Sequence, residues 1–219
     1  MNTLKEVIAR RAAAELEAGS IVNLGIGIPT LITQYVPPDS IFFHTENGLL
    51  GVGALEPNDY DPLRVNAGKL PVGELKGASY FDSAASFGMI RGGHISVAVL
   101  GALQVDAQGL VANWAVPNQN IIGVGGAMDL LVGAKKVIIT MLHTTKNNQP
   151  KLIASCTCPV TSIRPADLVI TERAVFRRLE NTWYLTEILE GNSLDTIRRD
   201  TAFAFDILLN FRERKERPL

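Results

Sequence analysis

Residues 95–105, ISVAVLGALQV, decide the fold, because nearly every side chain in this stretch is apolar. A strand with one face in water alternates apolar and polar residues, whereas a strand covered on both faces does not. In residues 135–142, KKVIITML, two lysines are followed by a run that is apolar except for Thr140. Such runs are typical of parallel sheets that are covered by helices on both faces.

Segments with helical signals alternate with these runs. An amphipathic helix is predicted over 3–18 with Gly19 as its stop, and Pro29 opens the short helix PTLITQYV. Asp82 is the predicted N-cap of another helix, and a last helix begins near Ser193. The other predicted strands are IVNLGIG, IFFHT, GASYF, LVANWAV, DLVITE, AVFRRLE and TWYLTEIL. We therefore predict an α/β fold with an open, mostly parallel mixed sheet and helices on both faces.

Composition limits the functional classes. The chain has 219 residues and a formal net charge of −1, so no strong field attracts nucleic acid or an anionic membrane. We find no signal-peptide pattern and no apolar run near the ~20 residues that span a bilayer. No repeat or linker interrupts the sequence. We expect a cytoplasmic protein with one domain over 1–219, in which 205–219 is a frayed or peripheral tail.

The two cysteines, Cys156 and Cys158, are too few and too close together for a disulfide scaffold. They also lack companion cysteines or histidines at the spacing of a zinc site. We expect buried free thiols in a reducing compartment, and no metal site.

Two glycine-rich loops, GIGIPT (25–30) and GVGGAM (123–128), are candidates for ligand binding. Each fails the dinucleotide pattern at its last position, where Thr30 and Met128 replace glycine. Both loops join an apolar strand to the start of a helix, where backbone N–H groups and the helix dipole can hold a ligand oxygen. Two such loops in one sheet favour a ligand crevice.

A serine hydrolase is a weaker alternative. The segment AASFG (84–88) is a poor match to the nucleophile elbow, because the cap at Asp82 places Ser86 inside a helix. The histidines at 44, 94 and 143 have no evident catalytic partner in the sequence.

Glu46, in the segment TENG (45–48), admits two interpretations. Asn47–Gly48 between apolar segments is typical of a hairpin turn, and Glu46 would then be an ordinary exposed carboxylate. Alternatively, a strand over 41–45 places Phe42, His44 and Glu46 on one face, where a partly desolvated carboxylate could act as a nucleophile. The residues alone leave both interpretations open.

A family resemblance separates the two interpretations. HTENGLLGVG (44–53) resembles the glutamate signature of family I coenzyme A transferases, in their β-type subunit or C-terminal half. Other matching stretches occur in the family's order over about residues 3–190: NLGIGIPT, VNAGKLPV, FDSAASFGMIRGGHI, LGALQV, VANWAVP, GVGGAMDLLVGAKKVIITMLHTTK and ITERAVF.

The resemblance implies a sugar-phosphate-isomerase-like fold and the transfer of CoA between short-chain or 3-oxo carboxylic acids. It implies a ping-pong reaction through an acyl-glutamyl anhydride and a glutamyl-CoA thioester. CoA thioesters are then substrates, and no tightly bound cofactor is expected. An α subunit is the implied partner, in an α2β2 or similar assembly.

Residue by residue, the resemblance implies that Glu46 is the nucleophile. It implies a further group of residues that bind CoA or substrate or stabilise an oxyanion: Asn23, Gly25, Gly27, Lys69 and Gly126. Of these, Lys69 is expected to reach CoA and Gly126 to offer a main-chain donor near the glutamyl carbonyl. An acyl-CoA hydrolase on the same scaffold and a non-catalytic protein that binds CoA or a phosphorylated metabolite remain as alternatives.

Overall fold

The fold is taken from a computed structural model that describes residues 3–58, 60–117, 121, 123–209 and 211. Its α-helices are α1 (Leu4–Ala13), α2 (Ser83–Arg91), α3 (Ala127–Gly133) and α4 (Leu194–Asp200), and a 3-10 helix spans Pro29–Tyr35. Its strands are β1 (Ile21–Leu24), β2 (Phe42–Thr45), β3 (Leu49–Gly53), β4 (Gly73–Tyr80), β5 (Val97–Gly101), β6 (Gln104–Asp106), β7 (Val111–Ala112), β8 (Lys136–Thr140), β9 (Leu152–Ile153), β10 (Leu168–Ile170), β11 (Ala174–Leu179), β12 (Thr182–Ile188) and β13 (Asp206–Ile207).

The main sheet has ten strands in the order β13-β12-β11-β10-β8-β5-β1-β2-β3-β4. The neighbouring strands from β10 through β8, β5 and β1 to β2 are parallel. Antiparallel pairs flank this centre on both sides, where β3 and β4 follow β2 and where β11 and β12 follow β10. The predicted α/β fold with an open, mostly parallel mixed sheet is confirmed.

Both faces of the sheet are buried, as the continuous apolar runs predict. Val97 and Val99 of β5 pack with Ile8 of α1 on one face. Ala98 and Leu100 of the same strand face the opposite core, which also contains side chains from α2 and α3. Every position of a central strand therefore contacts a core, and no alternation of apolar and polar residues is required.

The stretch ISVAVLGALQV does not form a single strand. It divides after Gly101, and β6 belongs to a separate three-stranded sheet of order β7-β6-β9. At the break, the N–H of Leu103 donates to the carbonyl of Ala112 and no longer continues the pairing with β8. The prediction of one strand over 95–105 was wrong here because both sheets are buried, so the apolar pattern continues across the boundary.

Helix α1 is shorter than the predicted range 3–18. A capping box between Thr3 and Glu6 fixes its start, and it ends at Ala13. Beyond the end, the carboxylate of Glu15 is almost fully buried and accepts from Arg177 at 2.6 Å and from Arg11 at 2.9 Å. This ion cluster fixes the chain after α1 to β11. The helical periodicity of the sequence could not reveal it.

The terminal part of the chain contributes an edge strand. Within the predicted tail 205–219, Asp206–Ile207 form β13, which runs parallel to β12. Positions 210 and 212–219 of that tail lie outside the described residues. None of the helices in the described ranges is long and apolar enough to cross a membrane.

Candidate active site

Glu46 lies at the tip of the hairpin between β2 and β3. The N–H of Gly48 donates to the carbonyl of Thr45 at 3.0 Å, and Thr45 pairs with Leu49 across the hairpin. Gly48 has φ +123°, whereas Asn47 keeps a negative φ. The loop is therefore a three-residue turn with Glu46 and Asn47 at its centre. The chain reversal is confirmed, but it is centred one residue earlier than the Asn47–Gly48 pair suggested.

Gly48 holds this turn against the segment that precedes α2. The N–H of Phe81 donates to the carbonyl of Gly48 at 3.0 Å. A Cβ at position 48 would lie 2.1 Å from the carbonyl oxygen of Phe81, far inside van der Waals contact. The turn that carries Glu46 is thus fixed from two sides, by its own hairpin and by this neighbouring segment.

Asn23 and Glu46 are brought together by parallel strand pairing. Asn23 of β1 is the register partner of His44 of β2, so the Glu46 turn follows directly beside it. Asn23 is fully buried, and its Nδ2 donates to Glu46 Oε2 at 3.1 Å. Glu46 itself is half-buried. These two sequence-predicted residues lie in direct contact.

His44 belongs to the same cluster, although the sequence offered no partner for it. Its Nδ1 lies 3.1 Å from Asn23 Nδ2, and its Nε2 lies 3.1 Å from Ser86 Oγ. Burial lowers the pKa of His44 to about 4, so the imidazole is neutral near pH 7. Ser86 lies inside α2, as predicted, and is completely buried. Its hydroxyl forms a hydrogen bond with His44 and is not exposed as a nucleophile.

The available sequence signal for His44 was its period-two relation to Glu46. Phe42, the third residue on that face, was expected to help desolvate the carboxylate. It is 45% exposed, so it does not supply that burial. The buried polar contact of Glu46 comes instead from Asn23 of β1, and no pattern within β2 could identify it.

Gly126 contacts the carboxylate from the opposite glycine loop. It is the N-cap residue of α3. A Cβ built on it would lie 3.1 Å from Glu46 Cγ and 3.3 Å from Oε1. The bare Cα of Gly126 therefore lies against the Glu46 side chain, where any larger residue would compete with it for space.

The other glycine loop follows β1, beside the Glu46 strand. The N–H of Gly25 donates to the carbonyl of Val99 at 2.8 Å, and a Cβ at this position would approach Leu100 at 3.3 Å. Gly27 has φ +96°, and no atom lies within 4 Å of the Cβ position built on it. Gly25 is thus packed on β5, whereas Gly27 borders open space.

Lys69 lies on an exposed loop next to the Glu46 turn. Asn47 Nδ2 donates to the carbonyl of Val65 at 2.8 Å, which ties this loop to the turn. In the described part of the chain, Lys69 makes no ion pair with Glu46. The structure therefore ties the Lys69 loop to the turn that carries Glu46, without an ion pair between the two described side chains.

The remaining buried histidine and the cysteines lie away from this cluster. His143 bonds to Thr171 and Thr201 at 3.0 Å each, and burial with the nearby Arg173 lowers its pKa to about 4. Cys156 and Cys158 are free thiols, as expected. They are half-buried, so the expectation that they are buried was wrong. Burial and Asp106 raise the pKa of Cys156 to about 12, which leaves it a protonated, unreactive thiol.

Comparisons with a family model and with known proteins all identify the same family. A family model described as coenzyme A transferase matches residues 5–200. The chain is 48% identical over 204 residues to the beta chain of the acetate CoA-transferase of Escherichia coli, with coverage of 93% of this chain and 94% of that protein. It is 46% identical over 208 residues to one subunit of the succinyl-CoA:3-ketoacid coenzyme A transferase of Helicobacter pylori, with coverage of 94% and 100%.

A solved structure shares the fold. It is an acyl-CoA transferase from Escherichia coli in a thioester complex with CoA, with a TM-score of 0.74 and 23% identity. The match covers 95% of this chain but 43% of that one, so the chain spans less than half of its length.

Proposed function

Because the chain belongs to the coenzyme A transferase family and is similar to its beta-type subunits, we propose that it carries the nucleophile, Glu46, of a reaction that moves CoA between carboxylic acids. The donor is the CoA thioester of one carboxylic acid, and the acceptor is a different short-chain or 3-oxo carboxylic acid. The observation that carries this proposal is the 3.1 Å hydrogen bond from the buried Asn23 amide to the Glu46 carboxylate.

The reaction begins with attack of a Glu46 carboxylate oxygen on the carbonyl carbon of an acyl-CoA. The carbon–sulfur bond breaks, CoA leaves as the thiolate, and a mixed acyl-glutamyl anhydride remains. The thiolate then attacks the carbonyl carbon of Glu46, and the first acid leaves as a carboxylate. Glu46 now carries CoA as a thioester.

The second half repeats these steps with another acid. Its carboxylate attacks the Glu46 thioester and displaces CoA thiolate, and the thiolate then attacks the acyl carbonyl of the new anhydride. The products are a new acyl-CoA and the free Glu46 carboxylate. A serine nucleophile would form an ordinary ester and lose the free energy of the thioester, which is why this chemistry requires a carboxylate.

The contacts of Glu46 suit these steps. Each tetrahedral intermediate at its carbonyl carbon develops an oxyanion, and one well-placed donor stabilises such a charge by roughly 3–4 kcal/mol. Asn23 Nδ2 is already at 3.1 Å from Oε2. Gly126 is the proposed second donor, through its main-chain N–H, and its missing side chain leaves room for the Glu46 side chain itself.

Lys69 and the glycine loop after β1 are the proposed contacts of CoA. An exposed lysine on a loop tied to the Glu46 turn is suited to pair with the phosphates of CoA, while Gly27 borders open space beside the turn. CoA enters and leaves as a substrate, so no tightly bound cofactor is required.

An α subunit completes the enzyme in this proposal. The similar proteins are named as single subunits of their enzymes, which indicates a partner chain. Glu46 remains half-exposed in this chain, and the anhydride and thioester must be kept from water. We propose that the α subunit covers the site, in an α2β2 or similar assembly.

The test is transfer by the reconstituted complex, followed as acyl-CoA formation from a panel of short-chain and 3-oxo acids. Glu46→Gln should abolish transfer, while the exposed Glu190→Gln serves as the matched control and should retain it. Full activity of Glu46→Gln would refute the proposal. Rapid release of free CoA without any acceptor acid would instead identify a hydrolase.

A further inference from the structure

His44 lies behind Asn23 in a line of buried polar groups that leads from Glu46 into the core. Asn23, His44 and Ser86 have 0%, 2% and 0% of their surface exposed. Their consecutive contacts, Glu46 to Asn23, Asn23 to His44 and His44 to Ser86, are each 3.1 Å long. The mechanism above uses only the first two residues of this line.

The hydrogen-bond roles along the line are fixed by chemistry. An amide nitrogen donates two N–H groups and accepts none, so Nδ1 of His44 must be the acceptor. A neutral imidazole with an unprotonated Nδ1 carries its proton on Nε2, and that proton is donated to Ser86 Oγ. The His44 ring also stacks on Phe81, with centroids 5.8 Å apart and planes 11° from parallel, which holds its orientation.

The side-chain oxygen of Asn23 does not help to orient the side-chain amide. Asn23 Oδ1 is buried and has no hydrogen-bond partner in the described part of the chain. The orientation of the amide therefore depends on the two acceptors of Nδ2, which are His44 Nδ1 and Glu46 Oε2. Rotating the amide by a half turn would aim Oδ1 at the carboxylate and remove the donor.

Glu46 cannot hold the amide throughout the reaction. Its carboxylate is charged before the first step and is converted to a neutral anhydride and then a neutral thioester. A neutral carbonyl is a weaker acceptor than a carboxylate. His44 takes no part in the bond changes, so its Nδ1 remains available as an acceptor for Asn23 during these stages.

We propose that His44 is a positioning residue: its Nδ1 accepts one N–H of Asn23 and thereby keeps the other N–H aimed at the Glu46 carbonyl through every intermediate. This inference rests on the proposed function of Glu46. Ser86 contributes by accepting from Nε2–H, which keeps the proton off Nδ1.

Two substitutions of His44 separate its two nitrogens. Asparagine places a side-chain oxygen near the position of Nδ1, whereas glutamine places its polar group near Nε2. We expect His44→Asn to retain most of the rate of Glu46-CoA formation. We expect His44→Gln to lower that rate about 10- to 100-fold, as displacements of about 1 Å do at reacting groups, with little change in KM.

A double-mutant cycle with Asn23→Ala tests whether His44 acts through Asn23. If it does, adding His44→Gln to Asn23→Ala should lower the rate no further. A purely structural role predicts that the two losses multiply. The matched control is His143, another buried neutral histidine with two side-chain partners, and His143→Gln should not change the rate in the folded complex.

A readout without turnover separates this inference from the proposed function. Nitrogen NMR of the imidazole in the wild-type complex should show Nδ1 of His44 unprotonated and Nε2 protonated. The opposite tautomer, or multiplying losses in the cycle, would overturn the positioning role. If the wild-type complex forms no Glu46-CoA adduct, the proposed function fails, while the NMR result still decides how His44 meets Asn23.

Discussion

Gly126→Ala should reduce the reaction at Glu46 without weakening the fold. The backbone at Gly126 has φ −78° and ψ −5°, which alanine adopts without strain. The new methyl group would instead meet the Glu46 side chain, at 3.1 Å from Cγ and 3.3 Å from Oε1. The substitution therefore acts on the carboxylate and not on the conformation of the loop.

The size of the effect follows from these distances. Carbon atoms in relaxed contact lie about 3.5–4.0 Å apart, so Glu46 must move by roughly 0.5 Å. A misplacement of 1 Å costs up to about 100-fold in rate, and half of that distance corresponds to about 10-fold, or about 1.4 kcal/mol in the barrier. The free energy of unfolding should change by no more than about 1 kcal/mol, because alanine also restricts the unfolded chain.

The assay is the single-turnover rate of Glu46-CoA formation in the complex with the α subunit, measured together with the thermal unfolding of the same samples. Gly88→Ala is the matched control. Gly88 lies in α2, and apart from the backbone of its own helix and its chain neighbours no atom lies within 4 Å of the Cβ position built on it. This control should gain roughly 0.5–1 kcal/mol of stability and keep the wild-type rate.

A wild-type rate in a folded Gly126→Ala complex would refute the reasoning, since it would mean that the methyl group does not reach the reacting carboxylate. A loss of folding in Gly126→Ala with a stable Gly88→Ala would also refute it, because the substitution would then act on the fold.

Three other substitutions test the turn, the ion cluster and the CoA contact. Gly48→Ala should lower the free energy of unfolding by at least about 2 kcal/mol in chemical denaturation, since its methyl would collide with Phe81 and its φ is positive. Glu15→Gln should lose about 3 kcal/mol at pH 7, because it removes the charge of the buried carboxylate that accepts from Arg11 and Arg177. Burial alone would raise the pKa of Glu15, but the neighbouring cations have the larger combined effect, so its pKa in the folded chain is lowered. The free energy of unfolding of the wild type should therefore fall as the pH drops below the unfolded-state pKa of about 4.3. The fall should be shallower in Glu15→Gln, which has no carboxylate to protonate at this position. Lys69→Ala should raise KM for acyl-CoA about 10-fold at unchanged kcat, because it removes a charged hydrogen-bond donor to the phosphates. The exposed Lys76→Ala should leave both constants unchanged, and equal KM values in the two variants would contradict a CoA contact.

The sequence predicts the layers of this fold better than its connections. The buried central strands are evident because unbroken apolar runs require cover on both faces. The division after Gly101 is not evident, because β5 and β6 are both buried and differ only in their partner strands. The end of α1 is similarly hidden, since it depends on the contact between Glu15 and Arg177, which are 162 residues apart in the chain.

The sequence likewise predicts some features of the candidate site and leaves others hidden. Local turn chemistry identifies the TENG reversal, and the family resemblance indicates Asn23 and Gly126 as its neighbours. The contact of Asn23 with Glu46 depends on the parallel register of β1 and β2, which periodicity does not specify. His44 and Ser86 look like ordinary buried residues in sequence. Their meeting requires β2 and α2 to pack against each other, so only the folded structure places them behind Asn23.

The most direct test of the central claim is to isolate the covalent intermediate. The complex is incubated with acyl-CoA alone, quenched in acid, and this chain is analysed by intact mass and peptide mapping. We predict a mass gain of one CoA less one water, located on Glu46, removed by borohydride or by an added acceptor acid, and absent in Glu46→Gln. An active complex that carries no such adduct, or carries it on another residue, would contradict the assignment of Glu46 as the nucleophile.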